Sequence, residues 1–131
     1  MSGFMLDTDI SSYIIKRRPA TLLAKFKQNA ETVSVSVMTA AELRFGAEKA
    51  GRPGLTELVE KYLERITILD WTSEVTVPYG RIRAELERAG KPMGSLDLLI
   101  ASHAVSQGMT LVTNNLRHFS NVPGLKVEVW S

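Results

Sequence analysis

The chain has 131 residues, of which 44% are hydrophobic and 23% charged, with no cysteine and a formal net charge of +2. Its length suffices to bury one hydrophobic core, and the lack of cysteine excludes disulfides and thiolate metal sites. The slight basic excess suits an anionic partner but is far smaller than that of a dedicated nucleic-acid-binding tail.

The sequence shows no sign of a membrane or export segment. Its apolar runs stop well short of the roughly 18 residues that a membrane span needs, and the amino terminus lacks a charged stretch followed by an apolar one. We therefore expect one domain over residues 1–131, located in the cytoplasm and without contact to a membrane.

Strand-like and helix-like segments alternate along the chain. Short apolar runs predict strands at Gly3–Leu6, Val33–Val37, Thr67–Leu69 and Thr110–Val112, and the alternation over Lys126–Val129 predicts an edge strand. Each of these runs is bounded by residues with a helical or turn-like pattern. The strands therefore belong to one sheet whose connections are helical.

Helical patterns fill the segments between the strands. One helix begins near Pro19, a second spans Leu55–Ile66, and a third lies within Ser73–Ala89. Gly51 and Gly108 are placed as helix ends. Helices between strands favour a right-handed parallel arrangement, so we predict an α/β fold, a three-layer α/β/α sandwich with a central, mainly parallel sheet.

Polar side chains follow or interrupt the apolar runs at four places, Asp7, Glu42, Asp97 and Asn115. In a parallel sheet these groups meet beyond the carboxyl ends of the strands, where ligands bind. Clustered carboxylates raise one another's pKa unless a cation balances them, and an all-oxygen set selects Mg²⁺ or Mn²⁺ over Zn²⁺. The pattern predicts metal-assisted phosphoryl transfer to water, with a second ion disfavoured because Asn115 brings no charge.

Each of the three acids also has a purely structural explanation. Asp7 fits the N-cap of a helix, Thr39 and Glu42 have the spacing of a capping box, and Asp97 fits the first turn of a helix capped by Ser95. Any one explanation is sufficient for its residue. That all three acids at one edge of the sheet should be purely structural is less expected than any one of these explanations alone.

Four segments carry a resemblance to a known family: Met5–Ile10, Thr39–Ala47, Gly94–Ala101 and Leu111–Phe119. In this order and spacing they resemble the PIN-domain ribonucleases of the VapC type, the toxin half of bacterial toxin–antitoxin pairs. The resemblance spans almost the whole chain and implies a single PIN-like domain.

The resemblance also implies roles for individual residues. Asp7, Glu42 and Asp97 take the catalytic and metal-binding positions. The supporting positions, including a fourth station where Asn replaces a frequent Asp, are Thr8, Asp9, Thr113 and Asn115. Independently of the resemblance, Arg117 and His118 border Asn115 and are candidate contacts to an RNA phosphate, and Arg44 is a further candidate.

Family membership further implies an activity and its partners. The expected reaction is Mg²⁺-dependent endonucleolytic cleavage of structured tRNA or rRNA, above all a tRNA anticodon loop, with Mn²⁺ as a substitute ion and inhibition of translation as the result. The expected partners are a second copy of the chain and a cognate VapB-type antitoxin, which covers the active site and forms a higher assembly. A groove between the apolar faces of Pro19–Ala30 and Leu55–Ile66 is the predicted docking place for an antitoxin helix.

Two alternatives remain open from the sequence. The run Phe4–Asp9 also reads as the strand and Asp-x-Asp of a haloacid-dehalogenase-like phosphatase, with Asp7 as nucleophile and Asp9 as acid and base. Ser11 and the missing later pair of acids count against it. The second alternative is a catalytically silent binding module whose acids only cap helices.

Overall fold

The computed structural model describes residues 3–130. Within this range, five short strands alternate with seven α-helices and one 3₁₀ turn at Ser73–Val75. The strands are β1 (Phe4–Leu6), β2 (Val33–Ser36), β3 (Thr67–Leu69), β4 (Thr110–Val112) and β5 (Lys126–Glu128). The helices are α1 (Thr8–Ile15), α2 (Ala20–Gln28), α3 (Val37–Ala50), α4 (Pro53–Arg65), α5 (Thr76–Arg88), α6 (Ser95–Gln107) and α7 (Leu116–Phe119).

All five strands run parallel in the order β3-β2-β1-β4-β5. The chain builds outward from β1 to β2 and β3, then returns to the other side of β1 with β4 and β5. The strand order therefore reverses between β1 and β4, whose last paired residues are Leu6 and Val112. In open α/β sheets this switch point, beyond the carboxyl ends of the strands, is where ligands bind.

Successive residues of the central strands point to opposite faces of the sheet, and each face has its own core. Leu6 and Val112 pack against α1 to α4, whereas Met5 and Leu111 pack against α5, α6 and α7. All four side chains are completely buried. This alternation at the pleat confirms the predicted three-layer sandwich.

Glycines end two helices as predicted. Gly51 and Gly108 cap α3 and α6 in the left-handed conformation, each with φ of 65°, which a residue without Cβ adopts at no steric cost. Pro53 is the first residue of α4, where its missing N–H leaves no hydrogen bond unmade. Within residues 3–130, every helix is too short or too polar to span a lipid bilayer.

Two predicted helix starts are wrong. The capping box of Thr39 and Glu42 does not form, because β2 leads directly into α3 and the Ser36 hydroxyl accepts a hydrogen bond from the Met38 N–H at 3.1 Å. Ser95 does not cap α6 but is its first helical residue, and the extended N-cap position is Gly94, which has no side chain for a cap. Helix capping therefore does not explain Glu42. Asp97 does lie in the first turn of α6, as predicted, where the helix dipole favours its negative charge.

Candidate active site

Asp7 lies at the switch point of the sheet, directly after β1. Its backbone N–H donates to the Val112 carbonyl of β4 at 3.1 Å, which extends the strand pairing by one residue. Its carboxylate Oδ1 accepts from the Ile10 N–H at 2.8 Å and so caps α1. With only 4% of its surface exposed, Asp7 is a fixed, nearly buried negative group.

The surroundings of Asp7 oppose its ionisation. Burial is the largest cause that raises the pKa of Asp7, from its ordinary 3.8 to about 6. Hydrogen bonds from Thr113 and the Ile10 N–H lower this pKa, whereas the negative charges of Asp9 and Asp97 raise it. Two further carboxylates therefore act on Asp7 at this edge of the sheet, an excess of negative charge that a cation would offset.

Asp97 approaches the same edge from the other face of the sheet. It is the third residue of α6, and its half-exposed carboxylate oxygen Oδ2 lies 2.8 Å from Nε2 of His118 on α7. The negative charge in the first turn of a helix is also favoured by the helix dipole. Asp97 is thus held by the side chain of His118, whereas Asp7 is held by the Ile10 N–H and by Thr113.

Glu42 and Asp9 lie in a groove beside Asp7. Glu42, in the second turn of α3, lines this groove of about 390 Å³ together with Thr8 and Asp9. The hydroxyl oxygens of Thr8 and Thr39 are 3.2 Å apart and join the first turns of α1 and α3. Glu42 therefore lines the groove next to Thr8 and Asp9 and does not cap a helix.

The donor set fits a hard cation, although the predicted triad is not pre-assembled. Among residues 3–130, no three His, Asp or Glu side chains come close enough to form a ready-made metal cage. Mg²⁺ usually needs no such cage, because one or two carboxylates hold it together with water and substrate phosphates. Asp7 and Asp97 at the switch point are the two candidate carboxylates, and Glu42 is the third candidate from its groove.

Thr113 and Asn115 complete the edge after β4. Thr113 is fully buried, donates its N–H to the Glu128 carbonyl of β5 at 3.1 Å, and accepts the Asn115 N–H at its hydroxyl at 3.0 Å. Asn115 is exposed and precedes α7 without a side-chain cap bond. The side chain of Asn115 is therefore free of a capping role, and its predicted supporting role stays a prediction.

The two arginines predicted to contact RNA have different surroundings. Arg117 lines an open pocket of about 270 Å³ together with Lys91, Asn115 and His118. Arg44 instead forms two hydrogen bonds of 2.9 Å to the carboxylate of Glu60 on α4. The pocket of Arg117 is connected to Asp97 through His118, whereas Arg44 would have to leave Glu60 to reach a phosphate.

Sequence reasoning missed two contacts made by histidines. His118 was expected beside Asn115 as a phosphate contact, yet its Nε2 lies against Asp97. His103 on α6 is completely buried, and its Nδ1 lies 2.8 Å from the hydroxyl oxygen of Ser36 at the start of α3. Burial lowers the pKa of His103, which favours the neutral ring. Neither pairing leaves a local sequence signal, since each joins distant segments.

The fold and the acidic switch point define an α/β protein suited to cation-assisted chemistry on phosphate esters. A family model of the PIN domain matches residues 4–125. Ribonuclease VapC2 of Haemophilus influenzae is 47% identical over 131 residues, 99% of each chain. The tRNA(fMet)-specific endonuclease VapC of Shigella flexneri is 42% identical over 132 residues, 100% of each chain.

The solved structures agree. A chain in the crystal structure of DNA-bound VapBC from Salmonella typhimurium has a TM-score of 0.95 and 40% identity, covering 100% of both chains. The chain therefore belongs to the PIN-domain family and, within it, to the VapC ribonucleases. This membership confirms the resemblance found in the sequence and supports a toxin endoribonuclease over a haloacid-dehalogenase-like phosphatase or a silent binding module.

Proposed function

We propose that this chain is a Mg²⁺-dependent endoribonuclease that cleaves the anticodon loop of an initiator tRNA and so inhibits translation. The observation that carries the proposal is the position of Asp7 and Asp97 at the switch point of the sheet, where the negative charge of Asp97 adds to the burial that opposes the ionisation of Asp7. A cation at this edge relieves that repulsion, and a polyanionic substrate supplies further oxygen ligands. Mn²⁺ is expected to substitute.

The residues of the edge have separate tasks in this proposal. Asp7, Asp97 and Glu42 would hold a divalent cation, which lowers the pKa of water and stabilises charge on the phosphodiester. The Ile10 N–H fixes the orientation of Asp7 before substrate arrives, so little reorganisation is needed. Thr8, Asp9, Thr113 and Asn115 support the edge, and the guanidinium of Arg117 matches the paired oxygens of a phosphate.

The initiator tRNA is proposed because the relative from Shigella flexneri is named a tRNA(fMet)-specific endonuclease. The test compares cleavage of tRNA(fMet) and elongator tRNA transcripts by antitoxin-free protein, with Mg²⁺ or with chelator, followed by mapping of the new ends. We expect one cut in the anticodon loop of tRNA(fMet), lost with chelator and reduced at least about a hundredfold in folded Asp7→Asn.

The outcomes separate the candidate activities. Cleavage that persists in chelator would contradict the metal-dependent mechanism. Hydrolysis of p-nitrophenyl phosphate without RNA cleavage would favour the phosphatase. A lack of any turnover by Mg²⁺-supplied protein would favour the binding module.

We further propose a cognate VapB-type antitoxin as partner, since structural relatives are VapBC proteins. A cavity of about 190 Å³ between α2 and α4 supports the predicted docking place: Phe26, Leu58 and Tyr62 line it, with Lys61 and Arg65 among its lining residues. An amphipathic helix with acidic flanks matches these features. This cavity and the groove of Asp9 and Glu42 share Ile15 in their linings, so a bound chain could continue toward the acids.

Leu58 is the clean probe of this groove, because 48% of its surface is exposed, whereas Tyr62 is buried and bonded to Ser11 at 2.8 Å. We expect Leu58→Glu to weaken binding of the cognate antitoxin at least about tenfold by calorimetry. Val77→Glu is the matched control, since Val77 is 74% exposed on α5, on the other face of the sheet. Equal affinity of both variants and wild type would refute this docking surface.

We also propose that the enzyme is a homodimer in the cytoplasm, where its tRNA substrate is found, and that dimers join antitoxin in a higher assembly. Light scattering of the antitoxin-free chain is expected to give twice its mass of 14.5 kDa. A mass of 14.5 kDa at micromolar concentration would contradict the dimer.

A further inference from the structure

The contact between His118 and Asp97 joins two segments that the fold brings together at the active edge. His118 Nε2 and Asp97 Oδ2 are 2.8 Å apart, and the two side chains are 33% and 40% exposed. The ring of His118 lies edge-on to the ring of Phe119, with centroids 5.3 Å apart, and Phe119 is 2% exposed. A buried neighbour thus supports the imidazole while its nitrogen reaches the carboxylate.

This contact can orient a carboxylate for a cation. An Nε2–H that donates to Oδ2 limits the rotation of the Asp97 carboxylate and leaves its other oxygen for a second partner. Partners of this kind, which touch a ligand rather than the metal, typically improve metal affinity by about 10- to 100-fold. The hydrogen bond needs only an N–H at Nε2, which the neutral ring in one tautomer and the charged ring both provide.

We propose that His118 is a positioning residue for the cleavage reaction, which holds Asp97 in the orientation that binds the divalent cation. The inference rests on the proposed metal-dependent function. It assigns His118 a role through Asp97 rather than a contact to the RNA phosphate. An exposed pair with no such role contributes little, so the two interpretations predict different results.

The test is calorimetric titration of Mn²⁺ into the full-length, antitoxin-free chain and four folded variants. His118→Ala and His118→Phe remove the donor, and the second keeps a ring against Phe119. His118→Gln keeps an N–H donor without the ring. Asn121→Ala is the control, because Asn121 lines the same pocket, carries no charge and does not touch the donor.

We expect His118→Ala and His118→Phe to weaken Mn²⁺ binding about tenfold, His118→Gln to recover most of that loss, and Asn121→Ala to bind as wild type does. Cleavage by His118→Ala should return to the wild-type kcat at saturating Mn²⁺, since a positioning defect is overcome by mass action. A rate that stays low at saturating Mn²⁺ would overturn the positioning role.

The failures of the two proposals are distinguishable. If wild type binds Mn²⁺ and both donor-free variants bind it equally well, the inference on His118 is wrong and the metal-dependent function stands. If wild type binds no Mn²⁺ and cleaves RNA in chelator, the proposed function is wrong and the inference falls with it. If His118→Ala fails to fold, the comparison of His118→Phe with His118→Gln decides.

Discussion

The two carboxylates at the switch point, Asp7 and Asp97, belong to the same proposed site but are held in opposite ways. Asp7 is 4% exposed, paired through its backbone with β4 and through its side chain with the first turn of α1. Asp97 has a side chain that is 40% exposed and is held by His118. Asp7 is therefore fixed at the end of a central strand, whereas Asp97 lies at the partly exposed edge of the site.

This difference in burial shows which of the two carboxylates lowers the stability of the folded chain. A nearly buried carboxylate must ionise without full hydration, which destabilises the folded chain at neutral pH. A half-exposed carboxylate keeps much of its water. Active sites commonly lower the stability of the fold. Here the destabilisation comes mainly from Asp7 and much less from Asp97.

Replacing the buried charge should have the largest effect on stability. The pKa of Asp7 is raised from 3.8 to about 6, so the folded state binds its proton more tightly than the unfolded state does. The stability that Asp7 contributes is complete below pH 4 and is lost as pH rises through about 6. Asp7→Asn lacks this loss, so in chelator at pH 8 it should exceed wild type by up to about 3 kcal/mol.

Urea unfolding of both proteins at pH 4 and pH 8 measures this prediction, with similar stabilities expected at pH 4. Asp97→Asn is the matched control and should change the free energy of unfolding by only about 0.5 kcal/mol at either pH. Excess Mg²⁺ should narrow the gap at pH 8, because it binds and stabilises folded wild type. A wild type that is more stable than Asp7→Asn at pH 8 in chelator would contradict the burial argument.

The contrast between the acids also explains what the sequence could predict. The strands, the two-sided core and the glycine ends at Gly51 and Gly108 follow from local patterns, and the structure confirms them. The sequence offers helix capping and metal binding as alternative roles for Asp7. In the structure, the carboxylate that caps α1 also lies at the switch point. A carboxylate that caps a helix directly after a central strand also lies where ligands bind, so the two roles do not exclude each other.

The remaining features depend on contacts that no local pattern records. The start of α3 was misplaced because Val37 continues an apolar run and yet begins the helix. The partnership of His118 with Asp97 exists only after α7 folds back beside α6. Arg44 reads as a free cation in the sequence, but its pairing with Glu60 depends on how α3 packs on α4.

A negative charge added at exposed Asn115 should destabilise the fold less than the buried charge of Asp7 does. Asn115 is exposed beside the acids, so Asn115→Asp introduces a carboxylate that keeps its hydration. We expect Mn²⁺ affinity to rise about three- to tenfold, because affinity for a hard cation follows the number of charged ligands. Calorimetry measures the change, with Asn114→Asp as the neighbouring control. Equal gains in both variants would show a general charge effect rather than a ligand at Asn115.

The smallest expected effects concern the cations at the exposed rim. Arg117 lines the pocket beside Asn115, whereas the guanidinium of Arg44 must give up two hydrogen bonds to Glu60 before it can hold a phosphate. We therefore expect Arg117→Ala to raise the KM for tRNA about threefold and Arg44→Ala to raise it less, with kcat unchanged in both. The increase should shrink as salt screens the phosphate contact. A larger effect of Arg44→Ala would mean that substrate opens its pair with Glu60 and binds across α3, on the side of the groove of Asp9 and Glu42.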